Sequence, residues 1–161
     1  MKKKVKIFVS YAKKNKVAKS DFMKRFIDYS GADARFDFEF WHDDQLAIGE
    51  DWHQSITKAL DECDFGLLLL SPAFLQSQYI EKNELPKLIA KSLCMPVALA
   101  KLDFKRFDLK GLESKQIYRL DNDNFEQPRA FTDLKSKRKD DFVANLYERM
   151  HDQLVAHFKL D

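Results

Sequence analysis

Glycine is scarce in this chain, which contains only Gly31, Gly49, Gly66 and Gly111. A dinucleotide-binding fingerprint and a Walker loop both need clustered glycines after a strand, because the backbone there must approach phosphate groups closely. No such cluster occurs, and the glycine-flanked serine elbow of the α/β hydrolases is missing as well. The sequence therefore excludes three common kinds of active site.

Cysteine and histidine are also few. The two cysteines, Cys63 and Cys94, lie far apart in apolar surroundings, and we expect them to be reduced, buried thiols. The four histidines lack the spacing of metal ligands. We therefore expect no metal site.

Long apolar runs and an excess of either charge are missing too. No segment approaches the length of a membrane span, and the apolar stretch after residues 1–4 is too short for a signal peptide, so we expect a cytoplasmic protein. The formal charge is +2, from 28 basic and 26 acidic side chains. We thus expect no binding to nucleic acid or membrane, and we interpret the lysine-rich runs at 2–4 and 135–139 as solvated.

What the sequence does contain is an alternation of short apolar segments with helical patterns. Hydrophobic residues make up 45% of the chain, enough for one globular domain over residues 1–161. The pattern predicts strands at 5–10, 35–40, 65–70, 95–100 and 116–120. It predicts helices between about 16 and 30, at 51–63, from 72 to about 92, and from 140 onward.

Several residues define these helices in more detail. Asn15 and Gly31 stand where the caps of the first helix belong, and Ser71 stands where the cap of the third belongs. Trp52 falls on the apolar stripe of the second helix, so we expect it in the core. Pro86 should kink the third helix or make it restart near residue 83.

Strands that alternate with helices favour an α/β fold of the flavodoxin-like, doubly wound type. We expect a five-stranded parallel sheet with helices on both faces, and a ligand crevice at the carboxyl ends of its strands. A phosphoreceiver domain shares this fold but needs acidic residues where this chain has Ser10, Tyr11 and Ser71. That function is therefore excluded.

Three motifs, in consistent order, resemble the TIR (Toll/interleukin-1 receptor) domain family. KIFVSYA at 6–12 resembles its first conserved box, a strand that ends in Ser-Tyr. WHDDQLAIGEDWHQSITKALDECDFGLLLLS at 41–71 resembles the second box with its BB loop, and SPAFLQSQYIEKNEL at 71–85 resembles the segment that carries the catalytic glutamate in enzymatic members. The chain departs from the family at residues 13–15, Lys-Lys-Asn, where an acidic residue is commoner.

The resemblance implies one of two functions. Many bacterial TIR domains are NAD+ glycohydrolases, which release nicotinamide with ADP-ribose or a cyclic isomer, whereas others are non-catalytic adaptors that act through TIR–TIR contacts. In the first case NAD+ is the substrate and no cofactor is needed. Nicotinamide leaves NAD+ as a neutral molecule, so one carboxylate that stabilises an oxocarbenium-like transition state suffices. The biological setting implied is bacterial antiphage immunity, with self-association and a sensor domain or partner subunit.

The resemblance also implies which residues act. Glu84, in the closing Asn-Glu-Leu, is the catalytic candidate, and Glu81 is its rival because residues 77–84 form a segment one residue longer than in plant TIR domains. A slip of one residue turns a helical side chain by about 100°, so the register decides between them. The implied substrate-binding residues are Phe8, Ser10, Tyr11, Trp41, Ser71 and Tyr79. The implied BB-loop contacts of an assembly are Asp43, Asp44, Ile48 and Gly49. Phe8 also suits plain core packing, and Ser10 and Ser71 suit plain capping.

Overall fold

A computed structural model describes residues 1–42 and 51–160. Within these residues the sheet has four strands, all parallel, in the order β2-β1-β3-β4. The strands are β1 (Lys3–Tyr11), β2 (Phe36–Trp41), β3 (Phe65–Leu70) and β4 (Cys94–Ala98). The helices described are α1 (Lys16–Ser30), α2 (Trp52–Glu62), α3 (Pro72–Gln76), α4 (Leu85–Ile89) and α5 (Ser136–His157). The expected α/β class and parallel sheet are confirmed.

The expected fifth strand at 116–120 is wrong as a strand. Tyr118 alone bridges to β4, donating its N–H to the carbonyl of Pro96 at 2.8 Å and accepting from the N–H of Ala98 at 2.9 Å. Pro96 has no N–H with which to extend this ladder toward residue 116. In the other direction Leu120 turns away and pairs antiparallel with Arg129.

Helices cover both faces of the sheet, as a doubly wound fold requires. The inward side chains of α1 and α5 meet one face, on which Val5, Ile7 and Val9 of β1 lie. The side chains of α2, α3 and α4 meet the other face, on which Phe8 lies. All six residues of β3 are buried, since this strand is central and covered from both sides.

The helical segment expected from residue 72 to about 92, with a kink or a restart near residue 83, is broken earlier, at Ser77. Helix α3 ends at Gln76, and Ser77 adopts an extended conformation with φ −75° and ψ 111°. The hydroxyl of Ser77 then accepts from the N–H of Ile80 at 3.3 Å and so caps a second helical segment. That segment contains a π-helical turn at Ile80–Glu84 and ends with α4 at Ile89, short of residue 92.

The last helix, α5, begins at Ser136, four residues before the expected start. It runs to His157 and buries the predicted apolar stripe, including Phe142, Leu146 and Leu154, against α1 and the sheet. No helix in the part of the chain that the structure describes is long and apolar enough to cross a membrane.

Candidate functional site

The carboxyl ends of the parallel strands meet at one edge of the sheet, where the candidate residues were expected. Strand pleating divides them, because successive side chains of a strand point to opposite faces. Ser10 lies on the same face of β1 as Phe8, toward α2 and α4. Tyr11 lies on the opposite face, where the Lys19 Nζ stands 4.5 Å from the centre of its ring. The structure therefore separates Tyr11 from the other candidates.

Glu84 and Ser10 form a buried pair at this edge. The hydroxyl of Ser10 donates a hydrogen bond of 2.8 Å to Oε1 of Glu84, although the two residues are 74 positions apart in the chain. Glu84 is 7% exposed and Ser10 is 1% exposed. Carboxylates buried to this extent usually have hydrogen-bond partners. The hydrogen bond from Ser10 therefore holds the Glu84 carboxylate in one orientation.

The π-helical turn is what brings Glu84 to this position. The N–H of Leu85 donates to the carbonyl of Ile80, five residues earlier, so the turn holds one residue more than an α-helical turn. Pro86 favours this arrangement because it has no N–H to offer the carbonyl of Lys82. The extra residue noted between Ser77 and Glu84 is accommodated in this turn.

Glu81 is placed differently. It lies on the exposed side of the same segment, and its Oε2 pairs with the Nζ of Lys110 at 3.3 Å. Half of its side chain is exposed, whereas Glu84 is buried beside Ser10. The geometry therefore separates the two rivals, and only Glu84 of the two contacts the carboxyl end of β1.

Ser71 is fully buried and makes two hydrogen bonds that organise the edge of the sheet. Its Oγ accepts from the N–H of Phe74 at 2.9 Å, which caps α3 as expected. The same hydroxyl donates to Oδ1 of Asn15 at 2.6 Å. Asn15 precedes α1 but does not cap that helix with its side chain, contrary to expectation. Ser71 and Asn15 together tie the chain after β3 to the chain after β1.

Aromatic rings surround this edge in two groups. Phe8 and Trp41, partners in the β1–β2 register, stack with ring centres 5.0 Å apart. Tyr79 packs on Trp52 with ring centres 4.3 Å apart, and its hydroxyl lies 3.0 Å from Nδ1 of His53. The expectation that Trp52 belongs to the core is wrong, because it is 37% exposed at the start of α2.

Two residues that contact the Trp52–Tyr79 pair, Lys13 and His53, were not predicted from the sequence. Lys13, which breaks the family pattern, holds its Nζ 4.7 Å from the ring centre of Trp52. His53 contacts Tyr79 from the first turn of α2. Each contact joins separate elements, so no local pattern signals it; for Lys13 the departure from the family was the available sign.

The BB-loop residues Asp43, Asp44, Ile48 and Gly49 lie outside the described residues. Among the residues that are described, no three His, Cys, Asp or Glu side chains lie close enough to hold a metal ion. Cys63 is buried and Cys94 is half-buried, and neither forms a disulfide. Burial raises the pKa of the Cys94 thiol to about 11, which keeps it protonated and unreactive at neutral pH.

The fold and the site together define a class: a doubly wound α/β domain with a buried carboxylate–hydroxyl pair at the carboxyl edge of its sheet. The family model of the TIR domain matches residues 7–135, and the chain belongs to the TIR domain family. TIR domains include NAD+-cleaving enzymes and adaptors, and domains of the family self-associate. No curated protein matches this chain.

Proposed function

We propose that this TIR domain is an NAD+ glycohydrolase that uses Glu84 as its catalytic carboxylate. The single observation that carries the proposal is the Glu84–Ser10 hydrogen bond of 2.8 Å, buried at the carboxyl edge of the sheet. Ligands of open α/β sheets bind at this edge, and a carboxylate held in one orientation can stabilise developing positive charge. Ser10 positions the carboxylate, since it donates to one of the two carboxylate oxygens.

The chemistry needs little besides this group. The bond between the ribose C1′ and the nicotinamide nitrogen breaks, and its electron pair neutralises the cationic ring, so no acid has to protonate the leaving group. The ribose is left as an oxocarbenium-like cation opposite the Glu84 carboxylate. Water adds to C1′ and loses a proton to give ADP-ribose, or a nitrogen of the adenine adds to give a cyclic isomer.

The surrounding rings suit a substrate with two aromatic ends. We assign Trp41 and Tyr79 to contacts with the nicotinamide or adenine ring. Phe8 stacks on Trp41 and so restrains the orientation of the Trp41 ring. Ser71 supports the edge through Asn15 and the cap of α3. Tyr11 has no such role in this proposal, because it faces the side of the sheet that α1 covers.

The setting of the reaction is proposed on the family alone. The domain comprises residues 1–161, works in the cytoplasm of a bacterium, and contributes to antiphage immunity by depleting NAD+ or making a nucleotide signal. Its activity depends on self-association through Asp43, Asp44, Ile48 and Gly49, and a sensor domain or partner subunit triggers it.

The test is turnover of an etheno-labelled NAD+ analogue by the wild type, Glu84→Gln and Glu81→Gln, at high protein concentration with and without a crowding agent. Glutamine can still accept from Ser10 but carries no charge, so Glu84→Gln should lower turnover by at least about a hundredfold. Glu81→Gln is the matched control and should stay within about twofold, since the half-exposed Glu81 pairs with Lys110 and does not contact Ser10.

Equal turnover by the wild type and Glu84→Gln would refute the role of Glu84. No turnover by the wild type under any condition would refute the enzymatic function and favour the adaptor. Thermal unfolding of each variant shows whether a loss of turnover reflects a loss of fold.

A further inference from the structure

A concave surface lies beyond β4, and it shares no residue with the candidate site around Glu84. It is a cleft of about 1030 Å³ between the chain that follows β4 (residues 101–107) and the chain at 119–133. Backbone hydrogen bonds hold its walls: the N–H of Thr132 donates to the carbonyl of Leu99 at 2.9 Å, and Leu120 and Arg129 exchange two bonds. The cleft is therefore a built feature of the fold and has the size of a small-molecule site.

The lining of this cleft has an excess of positive charge. Five of its side chains are cationic and three are acidic. One acid, Asp103, is already engaged, since it pairs with Arg106 at 2.9 Å and accepts from the N–H groups of Lys105 and Arg106. Arg119 and Arg129 make no ion pair with any described residue. Two guanidinium groups thus remain for an anionic ligand.

Both arginines lie against aromatic rings. The guanidinium of Arg119 is 4.2 Å from the ring centre of Phe104, and that of Arg129 is 4.1 Å from the ring centre of Phe125. Stacking restrains a guanidinium group, so less rotational freedom is lost when its N–H groups bind the two oxygens of a phosphate. Arginine in this arrangement favours bidentate recognition of phosphate over attraction by charge alone.

The same cleft offers surfaces for an aromatic base. Phe104 and Phe107 both line it and are 37% and 39% exposed, high values for large apolar side chains. Exposed aromatic rings next to cations are the arrangement on which nucleobases stack. Asn124 and Gln127 also line the cleft, and their amides can pair with the donors and acceptors of a base edge.

We propose that this cleft binds a nucleoside phosphate, with the phosphates on Arg119 and Arg129 and the base against Phe104 and Phe107. This cleft shares no residue with the candidate site around Glu84, so the two proposals can succeed or fail independently. Its position after β4, on the same edge of the sheet as Ser10, would let a bound nucleotide act on the candidate active site without entering it.

The experiment is a titration of the full chain with ATP, followed by the amide signals in NMR spectra at one fixed ionic strength. We expect ATP to shift signals of residues 101–107 and 119–133. The variant Arg119→Ala/Arg129→Ala should weaken ATP binding by at least about tenfold, because two charge-assisted contacts are lost. The matched control, Arg149→Ala, removes an arginine stacked on Tyr118 outside this cleft and should leave binding unchanged.

Two further comparisons test how the ligand is recognised. The variant Arg119→Lys/Arg129→Lys keeps both positive charges but removes the planar guanidinium groups, and we expect it to bind ATP more weakly than the wild type. ATP binding equal to that of the wild type would overturn bidentate recognition. Phe107→Ala removes a ring on which neither arginine stacks, so it should weaken ATP binding several-fold while leaving inorganic tripolyphosphate unaffected. Equal binding of ATP and tripolyphosphate by the wild type would overturn the role of the base.

Other outcomes overturn the assignment as a whole. These are no ATP binding at millimolar concentration, shifts confined to residues around Ser10 and Glu84, or full binding by the double alanine variant. Tighter binding of a single-stranded hexanucleotide than of ATP would overturn the assignment to a free nucleotide. Thermal unfolding confirms that each variant is folded before its affinity is interpreted.

Discussion

At the scale of single residues, Asp33 is the most heavily bonded acid of the described structure apart from the candidate site. It lies in the turn before β2, is 2% exposed, and accepts four hydrogen bonds. The donors are Tyr147 at 2.5 Å, His151 at 2.6 Å, and the N–H groups of Arg35 and Phe36 at 2.7 and 2.8 Å. The hydrogen bonds of the Asp33 carboxylate therefore link α5 to the start of β2.

Replacing Asp33 by asparagine should lower the free energy of unfolding by about 2 kcal/mol at neutral pH. The new amide cannot accept at both of its polar atoms, so donors that now reach the carboxylate are left unsatisfied. Urea unfolding measures the loss. Tyr147→Phe, which removes one donor of the four, should cost about 1 kcal/mol, and the exposed Asp37→Asn should stay within about 0.5 kcal/mol. A loss of unfolding free energy in Asp33→Asn no larger than that in Asp37→Asn would show that the Asp33 hydrogen bonds do not stabilise the fold.

The contribution of Asp33 should also depend on pH. Burial by itself would raise the pKa of Asp33, but the hydrogen bonds from Tyr147, Phe36, Arg35 and His151 more than offset it, so the pKa lies below its ordinary value of 3.8. A lowered pKa means that the stabilisation is complete above the ordinary value and is lost as the pH falls through the folded one. The stability gap between the wild type and Asp33→Asn should therefore still be present at about pH 5 and narrow below about pH 4. A gap that widens in acid would contradict this sign.

At the scale of elements, the approach of β3 to α4 positions Glu84. Gly66 allows this approach, because a Cβ at that position would stand 2.7 Å from Cδ2 of Leu88. Leu88 is fully buried, so its side chain has little room to move. The helix that carries Leu88 follows directly on the π-helical turn, so any displacement of α4 from the sheet displaces Glu84 as well.

Gly66→Ala should accordingly lower the free energy of unfolding by about 1–3 kcal/mol, as overpacking of a core does. Leu88→Ala alone should cost about 2–5 kcal/mol through the cavity that it leaves. The double variant should cost less than the sum of the two, since the added methyl group occupies part of that cavity. Additive costs in urea unfolding would mean that the two side chains do not compete for space.

At the scale of the whole molecule, α5 completes the core although it lies beyond residue 135, where the family match ends. Five of its side chains are at most 1% exposed, and they pack with α1 and the sheet: Phe142, Val143, Leu146, Met150 and Leu154. Burial of each contributes about 1.5–3 kcal/mol. Their sum is comparable to the entire stability of a typical domain, about 5–15 kcal/mol.

A chain that ends at residue 135 should therefore not fold. We expect it to lose cooperative thermal unfolding and near-UV circular dichroism, whereas a chain shortened only by residues 159–161 should keep both. Cooperative unfolding of the 1–135 fragment would show that α5 is an addition to a core that is complete without it, and would count against a single domain over residues 1–161.

The sequence by itself determined the class of the fold, the family, and the set of elements that supply the site. Period-two and helical spacing of apolar residues reflect local geometry, so the alternation of strands and helices can be predicted from short windows. The uninterrupted run at 65–70 correctly predicted a central strand. Ser71 was correctly predicted to cap α3, because capping depends on the residue and its immediate neighbours.

Only the tertiary structure decided which glutamate faces the edge of the sheet. Spacing along the chain left Glu84 and Glu81 open, since an α-helical and a π-helical turn differ by one residue and Pro86 suits a kink or a new helix start as well as a π-helical turn. Pro86, the packing of Leu88 on Gly66 and the hydrogen bond from Ser10 select the π-helical turn together. The tertiary structure also decided that residues 116–120 form no fifth strand and that Trp52 is partly exposed. Neither outcome follows from local sequence, because hydrogen-bond partners and burial depend on residues far away in the chain.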